Sequence, residues 1–63
     1  MNTQAQTALN TMSAIEILEA YTTRQGDAIG DVTVDQNFDA ETTTITFEDG
    51  SSVEISGSNA VAK

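Results

Sequence analysis

The spacing of apolar residues changes near the middle of the chain. Before residue 26, apolar side chains recur every three or four positions, which is typical of an amphipathic helix. From Asp31 onward, apolar and polar residues alternate, which is typical of strands with one buried face. The pattern therefore predicts a helix followed by a β-sheet. The apolar positions of the predicted helix are Ala14, Ile15, Ile17, Leu18 and Tyr21.

The helix has chemical signals at both ends. Ser13 and Glu16 fit a capping box, in which the Ser hydroxyl accepts from the backbone N–H of Glu16 and the Glu carboxylate accepts from the N–H of Ser13. Gly26 follows the last apolar turn, and glycine is frequent just beyond a helix end. We therefore predict a helix over residues 14–25.

The segment before this helix does not continue it. Leu9 precedes Leu18 by nine residues, which at about 100° per residue places the two side chains on opposite sides of one straight helix. A break near Ser13 resolves the conflict. Two alternatives then remain for residues 3–12 of the N-terminal segment 1–12: a separate turn of helix, or a segment that becomes ordered only against a partner.

Three strands are predicted, at about residues 31–38, 42–48 and 51–56. Each alternates apolar and polar residues, and Gln36 is the one polar residue among the apolar positions of the first strand. The residues expected to face the core are Val32, Val34, Phe38, Thr43, Ile45, Phe47, Val53 and Ile55.

The loop between the second and third strands is predicted from the register it would impose. A two-residue turn at Asp49 and Gly50 would send the apolar residues of the two strands to opposite faces. A three-residue loop over residues 48–50 instead pairs Ile45 with Val53 and places Gly50 in the left-handed conformation that such loops require. We predict the three-residue loop.

The same test on the first hairpin pairs Phe38 with Thr43 and Val34 with Phe47, with a connection over residues 39–42. The fold class that follows is α+β, with one N-terminal helix packed on a three-stranded antiparallel meander in the order α-β-β-β. Residues 1–63 form one small domain in this prediction.

Residues 57–63 are small and polar, and we expect a loose tail there. Ala60 and Val61 are the residues in it that could add a short edge pairing. The tail therefore contributes little to the predicted fold.

Composition argues against several classes of function. The chain has no cysteine and no histidine, so a disulfide, a thiolate zinc site and a Ser–His or Cys–His nucleophile cannot be built. Leu, Ile, Val and Phe make up 13 of the 63 residues, which allows only a small core with little room for a dry catalytic cleft. We expect neither enzymatic activity nor a cofactor.

One stretch resembles the start of a calcium-binding loop. Asp35, Asn37, Asp39 and Glu41 repeat at every second position, as the early ligands of an EF-hand do, but the sixth position is not glycine and the twelfth is not glutamate. We therefore interpret these residues as an acidic strand end that enters a turn, and we predict no metal site.

Charge is the most informative property of the chain. Ten carboxylates oppose two cationic side chains, for a formal net charge of −8. Such a surface repels nucleic acids and anionic membranes but attracts a basic protein surface. There is no basic or apolar leader and no stretch near the roughly 20 apolar residues of a membrane span. A cytoplasmic location is expected.

The stretch TTTITFEDGSSVEISGS, preceded by a short helix and a run of acidic residues, resembles small acidic proteins of phages and prophages. Among these it resembles anti-CRISPR proteins of the nucleic-acid-mimic type, over about residues 13–56. The resemblance implies an inhibitor, in the cytoplasm of a host cell, that occupies the basic channel of a CRISPR effector or another nucleic-acid-binding complex. The helix departs from this pattern, because it carries only Glu16 and Glu19.

The candidate partner-binding residues come from a run without Lys or Arg between Asp27 and Glu54, which contains eight carboxylates. We expect Asp31, Asp35 and Glu54 to project from the sheet face opposite the core. The full predicted set is Asp31, Asp35, Asp39, Glu41, Glu48, Asp49 and Glu54. The alternative function is a structural or assembly module, such as a small homo-oligomer, whose acidity serves only solubility.

Overall fold

The structure, a computed structural model, describes residues 3–63, so the first two residues of the predicted N-terminal segment lie outside it. Two helices precede a four-stranded antiparallel sheet of strand order β1-β2-β3-β4. The α+β class is as predicted, whereas the single helix and the three strands are wrong in number. The elements are α1 Gln4–Thr11, α2 Ala14–Tyr21, β1 Thr33–Asn37, β2 Thr42–Thr46, β3 Ser52–Ser56 and β4 Asn59–Ala62.

The start of α2 confirms the predicted capping box. Ser13 Oγ accepts from Glu16 N at 3.4 Å, and Glu16 Oε1 accepts from Ser13 N at 3.1 Å. The predicted end at residue 25 is wrong, because the chain leaves the helix at Thr22, whose backbone is extended and pairs with Ala28. Gly26, with φ +84°, belongs to the turn that follows.

Residues 4–11 form a separate helix, the first of the two alternatives. Thr3 caps α1, since its Oγ1 accepts from Gln6 N at 3.1 Å. The helix is held to the protein by two small residues, Ala5 and Ala8, which are buried although neither is a strong hydrophobic signal in the sequence. Met12 is extended, and it separates α1 from α2.

Replacing Ser13 with alanine should lower the free energy of unfolding by about 0.5–2 kcal/mol, because the backbone N–H of Glu16 in the first turn of α2 loses its acceptor, Ser13 Oγ. Urea unfolding followed by circular dichroism measures the change. Ser56→Ala, at an exposed position of β3, is the matched control and should change stability by less than about 0.5 kcal/mol. Equal stability of the Ser13→Ala variant and the wild type would contradict the cap.

The hairpin of β2 and β3 has the predicted register. Ile45 pairs with Val53, and Gly50 has φ +89°. Phe47 N donates to Ser51 O at 2.8 Å and closes the three-residue loop. The alternation of apolar residues in the two strands therefore predicts both the three-residue loop and the left-handed conformation of Gly50.

The predicted register of the first hairpin is wrong by two residues. Val34 pairs with Ile45 rather than with Phe47, and Phe38 lies outside the sheet with 82% of its surface exposed. The cause is the connection over residues 38–41. Asn37 Oδ1 accepts from the backbone N–H groups of residues 39 and 40, both at 3.1 Å, and Glu41 has φ +55°.

The predicted loose tail is also wrong, because residues 59–62 form the edge strand β4. Ala60 pairs with Ile55, and Lys63 and Ser52 exchange backbone hydrogen bonds beyond the strand end. Gly57, with φ +61°, lies in the short turn that joins the two strands. The tail therefore adds a strand and places the C-terminal residue beside Ser52, at the end of the sheet where β1 and β3 begin.

The core lies between the helices and one face of the sheet. Ile17, Ile45 and Val53 are fully buried, and the ring of Tyr21 meets Phe47 edge-on with centroids 5.1 Å apart. Ile15, which the helical pattern groups with the core residues, is instead 58% exposed. The opposite face of the sheet has no element packed on it among residues 3–63, so its side chains meet solvent.

Candidate partner-binding surface

The seven carboxylates predicted to bind a partner fall into three groups. The first group lines a groove beside α1, the second lies on the open face of the sheet, and the third lies in the connection between β1 and β2. The first group is Asp31, Glu48 and Asp49, the second is Asp35 and Glu54, and the third is Asp39 and Glu41.

The groove of the first group runs between α1 and residues 29–32 and has a volume of about 470 Å³. The buried side chains of Ala8 and Phe47 form its floor, and Asp31 and Glu48 lie at its rim. Asp31 precedes β1 and follows Gly30, whose φ is +80°. The predicted position of Asp31 on the open sheet face therefore does not match the structure.

Asp49 serves the fold at the start of α1. Its Oδ2 accepts from Gln4 N at 2.8 Å and its Oδ1 accepts from Ser51 N at 2.9 Å, while Asp49 N donates to Gln4 Oε1 at 3.0 Å. The hydrogen bond from the Gln4 N–H, followed by those from Ser51, holds the pKa of the Asp49 carboxyl below its usual value of 3.8. A negative charge at this helix end also complements the helix dipole.

Ser51 completes this long-range cap. Ala5 N donates to Ser51 Oγ at 3.1 Å, and the Ser51 hydroxyl in turn donates to Asp49 Oδ1. The first N–H groups of a helix have no partner within the helix, and here the β2–β3 loop supplies two acceptors. This contact has no local signal in the sequence, because the partners are 45 and 46 residues apart. The start of α1 itself does have a local signal, Thr3 with Gln6, which fits the S/T-x-x-E/Q pattern.

Asp49→Asn should lower the melting temperature near neutral pH, and the difference from wild type should disappear in acid. The pKa of Asp49 is lowered in the folded state, so its stabilisation is present above about pH 4 and is lost as the pH falls through the folded-state pKa. Thermal melts of both proteins between about pH 7 and pH 2 measure this. A difference that stays constant down to the lowest pH would contradict the role of the charge.

The second group is partly neutralised by the C-terminus. Asp35 and Glu54 lie in one row across the open face, on either side of Thr44. Lys63 Nζ lies 2.8 Å from Glu54 Oε2, and both side chains are partly exposed. The sequence between Asp27 and Glu54 contains no Lys or Arg, but in the fold β4 places the cationic side chain of Lys63 beside Glu54.

Hydroxyl groups occupy most of the open face. The strands pair so that Thr and Ser side chains alternate with the two carboxylates of the second group, as the alternation in the sequence predicts. These residues are Thr33, Thr42, Thr44, Thr46, Ser52 and Ser56. The face is consequently less acidic than the sequence suggests, and the unpaired carboxylate on it is Asp35 within the part of the chain that the structure describes.

The third group lies at the end of the sheet away from the groove. Asp39 and Glu41 are exposed in the β1–β2 connection, next to the exposed ring of Phe38. Among residues 3–63, no three carboxylates are placed so that they could hold a metal ion. A single exposed carboxylate can form a charge-assisted hydrogen bond with a cationic group.

Comparisons with protein-family models, with curated proteins and with solved structures find no match for this chain. No helix within residues 3–63 has the length and apolar character that crossing a membrane requires.

Proposed function

We propose that this protein is a small acidic inhibitor that occupies a basic, nucleic-acid-binding surface of a protein partner. The observation that supports this function is an acidic edge, which we define as Asp31, Asp35 and Asp39. Asp35 lies within the edge strand β1, Asp31 precedes the strand and Asp39 follows it, and all three are exposed. The one ion pair among residues 3–63 joins Lys63 to Glu54 and leaves the acidic edge uncompensated.

The size of the protein suits this function. Its longest dimension is 33 Å, about the length of ten base pairs of duplex at roughly 3.4 Å per pair. Proteins hold nucleic acids chiefly by Lys and Arg contacts to phosphates, and carboxylates form equally charge-assisted hydrogen bonds with those side chains. A CRISPR effector, with its positively charged channel for the guide–target duplex, is one partner of this kind.

An edge variant, Asp35→Asn with Asp39→Asn, should weaken binding to such a partner about tenfold at low salt, equivalent to about 1.4 kcal/mol. It should also flatten the dependence of affinity on salt, because fewer charges are paired. The partner is obtained by capture from lysate at low salt, and its affinity for both proteins is then measured at several salt concentrations. If this protein and nucleic acid occupy the same surface of the partner, added nucleic acid should release the partner from this protein.

A control variant separates position from net charge. Glu19→Gln with Glu54→Gln removes the same two charges, but Glu19 lies on α2 and Glu54 already pairs with Lys63. It should bind within about twofold of wild type, which is a difference below about 0.5 kcal/mol. Equal weakening by both variants would show that overall charge, and not the acidic edge, attracts the partner.

The exposed apolar side chains favour a second candidate, a homo-oligomeric assembly module. Phe38 is 82% exposed and Val61 on the edge strand β4 is 51% exposed, and unpaired strand edges are templates for pairing with another chain. Sedimentation at several salt concentrations distinguishes the two functions. Self-association that strengthens as salt screens the carboxylates, and that Phe38→Ser abolishes, would favour the module.

A further inference from the structure

We infer that the groove between α1 and residues 29–32 is an anchor site for an apolar side chain that lies beside Arg or Lys in a segment of the partner protein. This inference rests on the proposed function, because it assigns the groove to the same basic partner. The groove volume of about 470 Å³ lies within the roughly 300–1,000 Å³ typical of ligand pockets.

The lining of the groove includes several apolar side chains, and part of their surface is uncovered. The floor is formed by Ala8 and Phe47. The walls beside it are formed by the partly buried residues Tyr21, Met12 and Val32. Ile29 lies at the mouth and is 43% exposed. An apolar side chain from a partner would remove this surface from water.

The rim determines the charge of the occupant. Asp31 and Glu48 have no ion-pair partner within residues 3–63, and neither of the two cationic side chains lines the groove. Lys63 is paired on the open face, and Arg24 lines a separate cavity at the end of α2. A cationic group is therefore attracted to the rim, whereas phosphate groups of a nucleic acid or a membrane are repelled.

Both walls of the groove are held by hydrogen bonds of the fold. The bonds between Gln4 and Asp49 fix the start of α1. On the other side, Ile29 N donates to Tyr21 O at 2.8 Å, which ties the mouth of the groove to the end of α2. A preformed groove of this kind loses little conformational freedom on binding, which favours insertion of a single anchoring side chain.

The test uses the whole protein, labelled with ¹⁵N, and a synthetic peptide in which one tryptophan lies between two arginines. Nuclear magnetic resonance titration should shift the amide signals of groove residues such as Ala8, Ile29 and Val32. The same peptide with alanine in place of tryptophan should bind at least about fivefold more weakly, because it lacks the buried side chain. Equal binding of the two peptides, or shifts confined to Thr44 and its neighbours on the open face, would overturn the inference.

Two pairs of variants sharpen the result. A groove variant, Asp31→Asn with Glu48→Gln, should weaken peptide binding about tenfold, whereas the edge variant, which loses the same charge, should bind nearly as wild type. Thr7→Phe, on the exposed wall of the groove, should block the peptide, and Asn10→Phe, an exposed position of α1 outside the groove, should not. Thermal melts identify any variant that fails to fold. Equal effects within either pair would also overturn the inference.

The outcome is separable from that of the proposed function. If the peptide binds in the groove but this protein does not compete with nucleic acid for the partner, the proposed inhibitory function is refuted and the groove remains an anchor site. Competition with nucleic acid that Thr7→Phe leaves unchanged, while the edge variant weakens it, would refute the groove alone.

Discussion

Ile45→Ala should lower the free energy of unfolding by about 2–5 kcal/mol, the range for truncating a buried isoleucine. Ile45 is fully buried in β2, between Val34 of β1 and Val53 of β3, and belongs to the same apolar cluster as Ile17. A 63-residue chain has a total stability of only about 3–9 kcal/mol. The variant should therefore be largely unfolded at modest urea concentrations, as circular dichroism would record.

Ile15→Ala provides the matched control. The side chain is of the same type, but 58% of it is exposed on α2, so the change should be within about 0.5 kcal/mol. If the two variants were equally stable, the core would not lie between the helices and the sheet as described.

The second large effect is expected at Gly50, where replacement with valine should cost more than about 1 kcal/mol. Gly50 has φ +89°, and a β-branched residue is strained in that conformation. A Cβ atom there would meet no other atom within 4 Å, so the cost would come from the backbone and not from a clash. Strain in this loop would also disturb Asp49, whose carboxylate caps α1.

Gly50→Asn tests this explanation, because asparagine adopts the left-handed conformation more readily than other residues with a side chain. It should retain more of the wild-type melting temperature than Gly50→Val does. An unchanged melting temperature in the valine variant would show that the left-handed conformation at residue 50 contributes nothing to stability.

Elements with a local chemical signal are those that the sequence predicts correctly. The capping box at Ser13 marks the start of α2, and the requirement that Ile45 and Val53 share a face determines the β2–β3 loop. In both cases the interacting residues are close in sequence, or their register follows from alternation. The α+β class follows from the same two periodicities.

Elements without such a signal are predicted wrongly. The β1–β2 register depends on the Asn37 side chain and on a non-glycine residue, Glu41, in the left-handed conformation. The strand β4 consists mainly of small residues, so its pairing with Ile55 depends on an exposed strand edge and not on its own propensity. The burial of α1 depends on Ala5 and Ala8, whose pattern is weak.

The candidate surface shows the same division. The sequence identifies the carboxylates, but their grouping depends on contacts that are distant in the chain. Lys63 reaches Glu54 only because β4 exists, and Asp49 is bound to Gln4 across 45 positions. Asp31 joins the groove because the chain bends at Gly30 before β1 begins.

The proposed inhibition is tested most directly by displacement of nucleic acid from the captured partner. A fluorescently labelled nucleic acid is bound to the partner, and its anisotropy is followed as this protein is added at several salt concentrations. We expect complete release at low salt, a displacement midpoint that rises steeply with salt, and a midpoint about tenfold higher for the edge variant than for the control variant. Nucleic acid that stays bound while this protein also binds the partner would contradict the proposed function.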